Sequence, residues 1–501
     1  MKIKIILYAV LALCLLHACK KDLGNYDYTD SPIPTIDTSG IGGTYRMLRL
    51  ANIKIDPPVK LPAGHTATYK WLLYARQTSV NVVPTTKEIS TTASLDYLIA
   101  EPVGNYVLEF IVTDQQTGIT SNVQFSLAVT ANMEFGMMVL YQGAAGGDLD
   151  FIRTPALASE IQSVSHRKNL YSLTTGRPLD GQARFIWSAR QAFSVVNWIT
   201  IASSNYIGRF HGNDFTFIRE QGDMFRRAGT TFNPQAYVYT SSFVQALVNN
   251  YKLSITNSST SETDAKFSGP ADGDYELAPF LSPKISSLFV AVGYDQKNGR
   301  FVRYFTANNT VGNFTAAVAG QPFDLNRIGK DMLYMTSGAS DYTYAFFKDK
   351  TGNGRWLYAM NFTTFSDNGQ LAMGAYDMTG LPEIESAVHY QVSGFGGYAY
   401  YSTKNTIYNY AYRSSNTARV AFRMPAGEEI TCMRYYRPLP NSDVSDRVER
   451  VLYVATWNGS KGKVYELSIN ETSGEINGAP LNVFEIDGKV ADMSARARGL
   501  G

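Results

Sequence analysis

"LYVATWNGSKGKVYELSI", residues 452–469, reads as strand, polar turn, strand. Leu, Val and Tyr alternate with smaller or polar residues on both sides of Asn458-Gly459 and Lys461-Gly462, dipeptides that supply the positive backbone angles of tight hairpins. The same design recurs in "LFVAVGYDQKNGRFVRYF" (288–305), "LYMTSGASDYTYAFFKDKTGNGRWLYAM" (333–360) and "YAYYSTKNTIYNYAY" (398–412). Strand-like runs begin near residues 136, 191, 242, 286, 330, 396 and 449, roughly 45 to 65 residues apart, with almost no helical periodicity between them. Short strands at such a period predict a β-propeller over 133–501, one four-stranded blade per repeat and seven blades in all. Uneven spacing leaves six or eight blades open, and a second set of sandwich domains is the alternative. The final run, "GKVADMSARARG" (488–499), is placed to complete a blade begun at the front of this region.

Upstream the pattern differs. "GNYVLEFIVTDQQTGITSNVQFSLAV" (104–129) is a long hairpin in which Tyr106, Leu108, Phe110 and Val112 mark one face, as do Val123, Phe125 and Leu127 on the second strand. A lone hairpin cannot bury such a face, so a second sheet is required. The span 36–132 has the size of an immunoglobulin-like β-sandwich, with Trp71 of "TATYKWLLY" in its core. The fold class is therefore all-β.

Composition agrees. Residues are 45% hydrophobic and 13% aromatic, with 33 Tyr and 41 Gly, a mixture suited to pleated surfaces and tight turns. The formal net charge of +2 includes signal-segment lysines, so there is no basic field of the kind a phosphate backbone requires and nucleic acid is not an expected partner.

The N-terminus opens with basic Met1-Lys2-Ile3-Lys4 and a mostly apolar run over 5–16, which is the order of an export signal and too short to span a bilayer. Leu16-His17-Ala18-Cys19 resembles the bacterial lipobox, and that resemblance implies a signal peptide over 1–18 and lipidation at Cys19. A lipidated cysteine anchors stably because it carries more than one acyl chain. Residues 19–35 then form the lipidated start and a tether. Cys14 leaves with the signal, so Cys432 is the only free thiol expected in the folded chain. Cys19-Lys20-Lys21-Asp22 resembles the opening of Bacteroidetes lipoproteins, which implies an outer-membrane location facing the cell exterior. Gly24-Asn25-Tyr26-Asp27-Tyr28, together with the sandwich region, resembles the PKD-like lipoproteins of that group.

Chemistry-bearing motifs are sparse. His65, His166, His211 and His389 stand far apart, in no paired-ligand arrangement, and with Cys432 they give no zinc spacing, so neither metal nor cofactor is expected. His211, in "GRFHGNDF", lies in a turn that would merit attention if a pocket formed there. No GxSxG elbow is present. Paired carboxylates from different blades could still meet, with Glu220, Asp223, Glu383 and Glu385 in polar loop-like segments, so a carboxylate-dependent glycoside hydrolase or lyase is kept as an alternative. "DKTGNGR" (349–355) lacks the frame of a calcium loop and reads as a hairpin turn.

Binding is the better class. Loops at one end of a propeller gather into a concave face, where aromatic rings beside Arg and Asn can hold a glycan or an extended peptide. Tyr435, Tyr436 and Arg437 precede Pro438 and Pro440, which break the strand pattern, so exposed rings are expected there. Arg413 and Asn416 are the second choice. The combination of lipobox, PKD-like region and propeller resembles accessory lipoproteins of SusC/SusD-type outer-membrane importers. That resemblance implies a non-catalytic surface protein that binds or presents a glycan or peptide to an uptake complex. A protein-interaction or structural lipoprotein without a small-ligand site is the other alternative.

Overall fold

The computed structural model describes residues 33–77, 83–131, 133–190, 197–227, 229–240, 244–257, 265–438 and 447–496. Cys19 and the signal segment lie outside the described residues. The chain divides into two compact units, the first drawn from described residues up to Tyr45, Ile53–Tyr97 and Asn105–Leu127, the second from Arg46–Asn52, Leu98–Gly104 and Ala128 onward. Among the described residues no helix is long and apolar enough to cross a membrane.

The N-terminal region is a β-sandwich. Its larger sheet runs in the order Thr44–Leu48, Thr120–Thr130, Gly104–Asp114, Ala67–Ala75 and Lys87–Ser90, and two-stranded pairs join Asn52–Ile55 to Leu95–Leu98 and Thr35–Ile36 to Val59–Lys60. The alternation read from the sequence places Leu108, Phe110, Val112, Phe125 and Leu127 inside. Trp71 is fully buried, stacked on Phe110 at 4.5 Å, and donates its indole N–H to the carbonyl of Thr92 at 3.1 Å, so it is a core residue.

Beyond Gly136 the described residues form seven separate antiparallel sheets. In chain order their second to seventh members begin at Ala183, Pro234, Leu277, Asp331, His389 and Glu429, six of four strands or, in the third, of three. The first sheet is assembled from both ends of the region: Gly136–Gln142, Gly147–Arg153 and Ser165–Arg167 are joined by the last strand, Lys489–Arg496, which pairs with Gly136–Gln142. The return of the C-terminal strand to the front thus holds in the structure.

Apolar side chains fuse consecutive sheets. Leu140, Leu149, Ile186 and Ile199 share a core between the first and second sheets, Trp198, Tyr237 and Leu247 between the second and third, and Val248, Leu277 and Val302 between the third and fourth. The series continues through Phe301 with Phe347, Phe346 with Tyr401, and Tyr400 with Leu452. It then closes, because Tyr453 and Val464 of the seventh sheet share a core with Met137, Val139 and Met493 of the first.

Each sheet has one edge strand that we call its wall strand: Ala183–Arg190, Pro234–Tyr239, Leu277–Leu281, Asp331–Ser337, His389–Val392, Glu429–Tyr435 and Lys489–Arg496. Pairing between a wall strand and its neighbour shifts register in every sheet except the sixth, leaving Arg184, Gln235, Leu333, Thr431 and Ala491 as extra residues in five of them. Such bulges turn a strand and re-aim its side chains.

Candidate functional site

The seven wall strands enclose a cavity of about 640 Å³. Its lining divides in two by chemistry. From the second, third and fourth sheets come Phe185, Trp187, Tyr237 and Phe280, and from the fifth, sixth, seventh and first come Tyr334, Gln391, Arg434 and Asp492. The first side is rich in aromatic rings, with Arg184, Ser188 and Gln235 among them, and the second carries a polar belt beside Met335, Tyr435 and Met493.

The aromatic side is built by alternation. Phe185 and Trp187, two apart on one wall strand, present the same face, Phe185 lying parallel to Tyr237 at 6.4 Å and Trp187 edge-on to it at 6.2 Å. Phe280 meets Tyr334 edge-on at 5.4 Å and joins the aromatic side to the polar one. The indole N–H of Trp187 is buried with no hydrogen-bond acceptor among the described residues. A buried donor left this way is uncommon in folded proteins.

The polar side is one connected belt. Arg434 donates to Asp492 from Nη2 at 2.6 Å and to the Tyr334 hydroxyl from Nη1 at 2.5 Å. Gln391 donates from Nε2 to the same hydroxyl at 3.1 Å and to the carbonyl of Met433 at 2.9 Å, which fixes its amide and leaves Oε1 as an acceptor. Asp492 also accepts the backbone N–H of Ile186 at 3.1 Å, and Ser494 Oγ accepts that of Ser188 at 3.0 Å. Five wall strands are thereby tied together around the cavity. Burial raises the Asp492 carboxyl, opposed by Arg434 and by backbone N–H groups, whereas for Arg434 the effect of burial is outweighed by Asp492 and the guanidinium stays above its usual value. Burial also raises the Tyr334 hydroxyl, so it remains a neutral phenol.

Two of the sequence-predicted ligand residues reach this wall, in a form different from the one expected. Tyr435 and Tyr436 are 4% and 0% exposed, which corrects the expectation of solvent-facing rings. The strand Glu429–Tyr435 runs right up to Tyr436, whose ring enters the core shared by the seventh and first sheets and whose hydroxyl donates to the carbonyl of Arg496 at 3.0 Å. Tyr435 lines the cavity from within the core. Arg437 also lines it, but its guanidinium is spent on Glu449, Ser337 and the carbonyl of Val392, at 2.5, 3.1 and 2.7 Å. Arg413 and Asn416 do not line it. Arg413 donates to the Tyr344 hydroxyl at 3.1 Å, and Asn416 accepts from Tyr410 and donates to the carbonyl of Asp377, so both secure a turn of the sixth sheet.

The remaining polar candidates are dispersed. Glu220 pairs with Arg177 and Asp223 with Lys266, and neither these nor His211, Glu383 and Glu385 line the cavity. His65 and His166 bond Asp114 and Asp150 at 2.5 and 2.7 Å. His389 borders a smaller cavity of about 260 Å³ with Lys404, Glu429 and Trp457, and burial pushes its pKa down to about 4. Residues 349–355 form a hairpin turn, with Lys348 opposite Arg355 and Asp349 engaged by Lys330 and by Trp356 Nε1. Among the described residues, no three or more His, Cys, Asp or Glu side chains gather as a metal site would require.

Residues 19–183 match the PKD-like family, which identifies a PKD-like domain at the N-terminus. Among solved structures the chain is similar to a quinonprotein alcohol dehydrogenase-like protein from Bacteroides thetaiotaomicron, with 13% identity over 92% of this chain and 98% of that one and a TM-score of 0.53. It is more loosely similar to the dihydro-heme d1 dehydrogenase NirN, with 9% identity over 76% of this chain and 73% of that one and a TM-score of 0.40. No curated protein matches the sequence.

Proposed function

We propose that the region from residue 133 onward is a seven-bladed β-propeller and that the protein is a non-catalytic, lipid-anchored outer-membrane protein which captures a glycan in its axial cavity. Support for the propeller reading comes from the closed series of inter-sheet cores and from the last strand completing the first sheet. The observation that carries the glycan reading is the division of the cavity wall. A sugar ring has an apolar C–H face that stacks on aromatic rings and a rim of hydroxyls that both donate and accept. Phe185, Trp187 and Phe280 supply the one surface, and Tyr334, Gln391 and Arg434 the other. The volume of about 640 Å³ suits a small ligand or the end of a chain.

Absence of catalysis is part of the same reading. Hydrolysis by paired carboxylates needs two acids. Among the described residues that line the cavity Asp492 is the single acid, and Arg434 and the Ile186 N–H already hold it. Anchoring through Cys19, an outward-facing outer-membrane location and delivery to a SusC/SusD-type uptake complex complete the proposal, resting on the lipobox and on the PKD-like match.

The test is a glycan and peptide array probed with the chain from residue 20 onward, with product analysis of the same wells. Saturable binding of an intact glycan that Trp187→Ala abolishes and Trp187→Phe retains supports the reading. Binding confined to peptides, or release of cleaved product, overturns it.

A further inference from the structure

Charge in the cavity wall is unevenly compensated. Arg434 is paired with Asp492 and Arg437 with Glu449, leaving Arg184 as the third cation of the wall. Arg184 donates from Nη1 to Asn233 Oδ1 at 2.6 Å and to the carbonyl of Pro234 at 2.8 Å, and no carboxylate of a described residue pairs with it. It is the extra residue of its wall strand, where Ala183 faces Ser203 and Phe185 faces Ala202, so the bulge directs it toward the third sheet.

These contacts orient the guanidinium without neutralising it. Both acceptors sit on Nη1, which leaves the edge formed by Nε and Nη2 without a protein acceptor among the described residues. That edge is the one a carboxylate engages through two parallel hydrogen bonds. A partly desolvated cation without a counter-charge is costly, and an incoming anion removes the cost. Trp187 lies three residues along the same strand, roughly 10 Å away at the rise of an extended chain. Its ring lines the same side of the cavity.

We infer that the cavity selects saccharides bearing a carboxylate, with Arg184 as the specificity-determining residue and the sugar ring stacked beside Trp187. This rests on the glycan reading above and narrows it from glycans in general to acidic ones. A ligand of this class places its carboxylate against Nε and Nη2 of Arg184. Its ring oxygen accepts from the Tyr334 hydroxyl, and its hydroxyls donate to Gln391 Oε1.

The experiment is isothermal titration of the chain from residue 20 onward with digalacturonic acid and with its dimethyl ester, which keeps the rings and removes the charge. Wild type is expected to bind the acid about tenfold or more tightly than the ester, the ratio a single charge-assisted contact supplies, with the difference shrinking as salt rises. Arg184→Gln is expected to abolish that preference, the acid losing at least tenfold more affinity than the ester, and Arg184→Lys to retain part of it, thermal melting confirming that both variants are folded. Equal affinity of wild type for acid and ester, or equal loss of both in Arg184→Gln, overturns the inference and leaves the glycan reading intact. Failure of both probes to bind also overturns it, and titration with neutral oligosaccharides in the same series then decides whether the glycan reading falls with it.

Discussion

Arg434 and Asp492, 58 residues apart in the chain, meet at 2.6 Å across the junction of the seventh and first sheets. One partner comes from the wall strand that opens the seventh sheet and the other from the C-terminal strand that completes the first. Tyr334 extends the contact to the fifth sheet and Ile186 to the second, so one ion pair links the chain's closure to the shape of its cavity.

Breaking this pair from one side should cost more than removing it whole. Arg434→Met leaves the Asp492 carboxylate, 9% exposed, without its cation, and a loss of about 3 kcal/mol is expected. In Arg434→Met/Asp492→Leu part of that loss returns, giving an interaction energy of about 2 kcal/mol in a double-mutant cycle. Urea unfolding of the four proteins measures it, and strictly additive losses would show that the pair is not coupled.

The parts of this architecture that were legible in the sequence are the parts buried on both faces. Five of the seven runs that mark the repeat fall on the strand next to the wall strand, for example Gly136–Gln142, Val244–Asn249 and Val451–Trp457, each sandwiched between neighbouring sheets and therefore apolar almost throughout, while the run from 330 is itself a wall strand and the run from 191 lies largely outside the described residues. Wall strands are mixed. Glu429–Tyr435 and Lys489–Arg496 alternate polar and apolar residues irregularly because a bulge interrupts each, and nothing in their spacing announces that Arg434 and Asp492 converge. Tyr435 and Tyr436 were legible as aromatic but misplaced: the prolines that follow mark where the strand pattern ends, and both rings sit before that point, in the core. Arg184, Trp187, Tyr334 and Gln391 carried no motif. The one available signal was the expected return of 488–499 to the front, which sets Asp492 on a closing strand.

His389 makes stability depend on pH. Burial pushes its pKa down to about 4, from an ordinary 6.5, with Arg434 and Lys489 adding to the effect and the Ile430 carbonyl opposing it. The folded state therefore favours the neutral ring, while the unfolded chain takes up the proton first. This contribution is fully present above pH 6.5 and is lost as pH falls toward 4, by about 3 kcal/mol in total. His389→Gln, which keeps a donor for Ile430, should flatten the fall in unfolding free energy over that window. An unchanged slope would assign the acid sensitivity to other groups.

Cys432 should be silent toward thiol reagents until the fold is lost. Its side chain is buried between the first and seventh sheets, and burial pushes the thiol up to about 12. In the chain from residue 20 onward, Ellman's reagent at about pH 8 is expected to find no thiol in the native protein and one equivalent in denaturant, because the thiolate is the reactive form. Rapid reaction of the native protein would mean that this inter-sheet core opens readily.

The C-terminal strand should decide whether the second unit holds together. Ending the chain at Asp487 removes Lys489–Arg496, exposes the edge of Gly136–Gln142 and takes Val490 and Met493 from the core shared by the first and seventh sheets. It also removes Asp492 and with it the acceptor for Arg434 and for the Ile186 N–H. An unpaired, largely apolar edge strand is an aggregation site, so the truncated chain is expected to self-associate and to lose its cooperative melting transition. A synthetic peptide covering 488–501 should restore that transition by pairing in the same register. A truncated chain that melts like the full-length protein would show that closure contributes little, and the argument that the cavity's shape depends on the returning strand would fail with it.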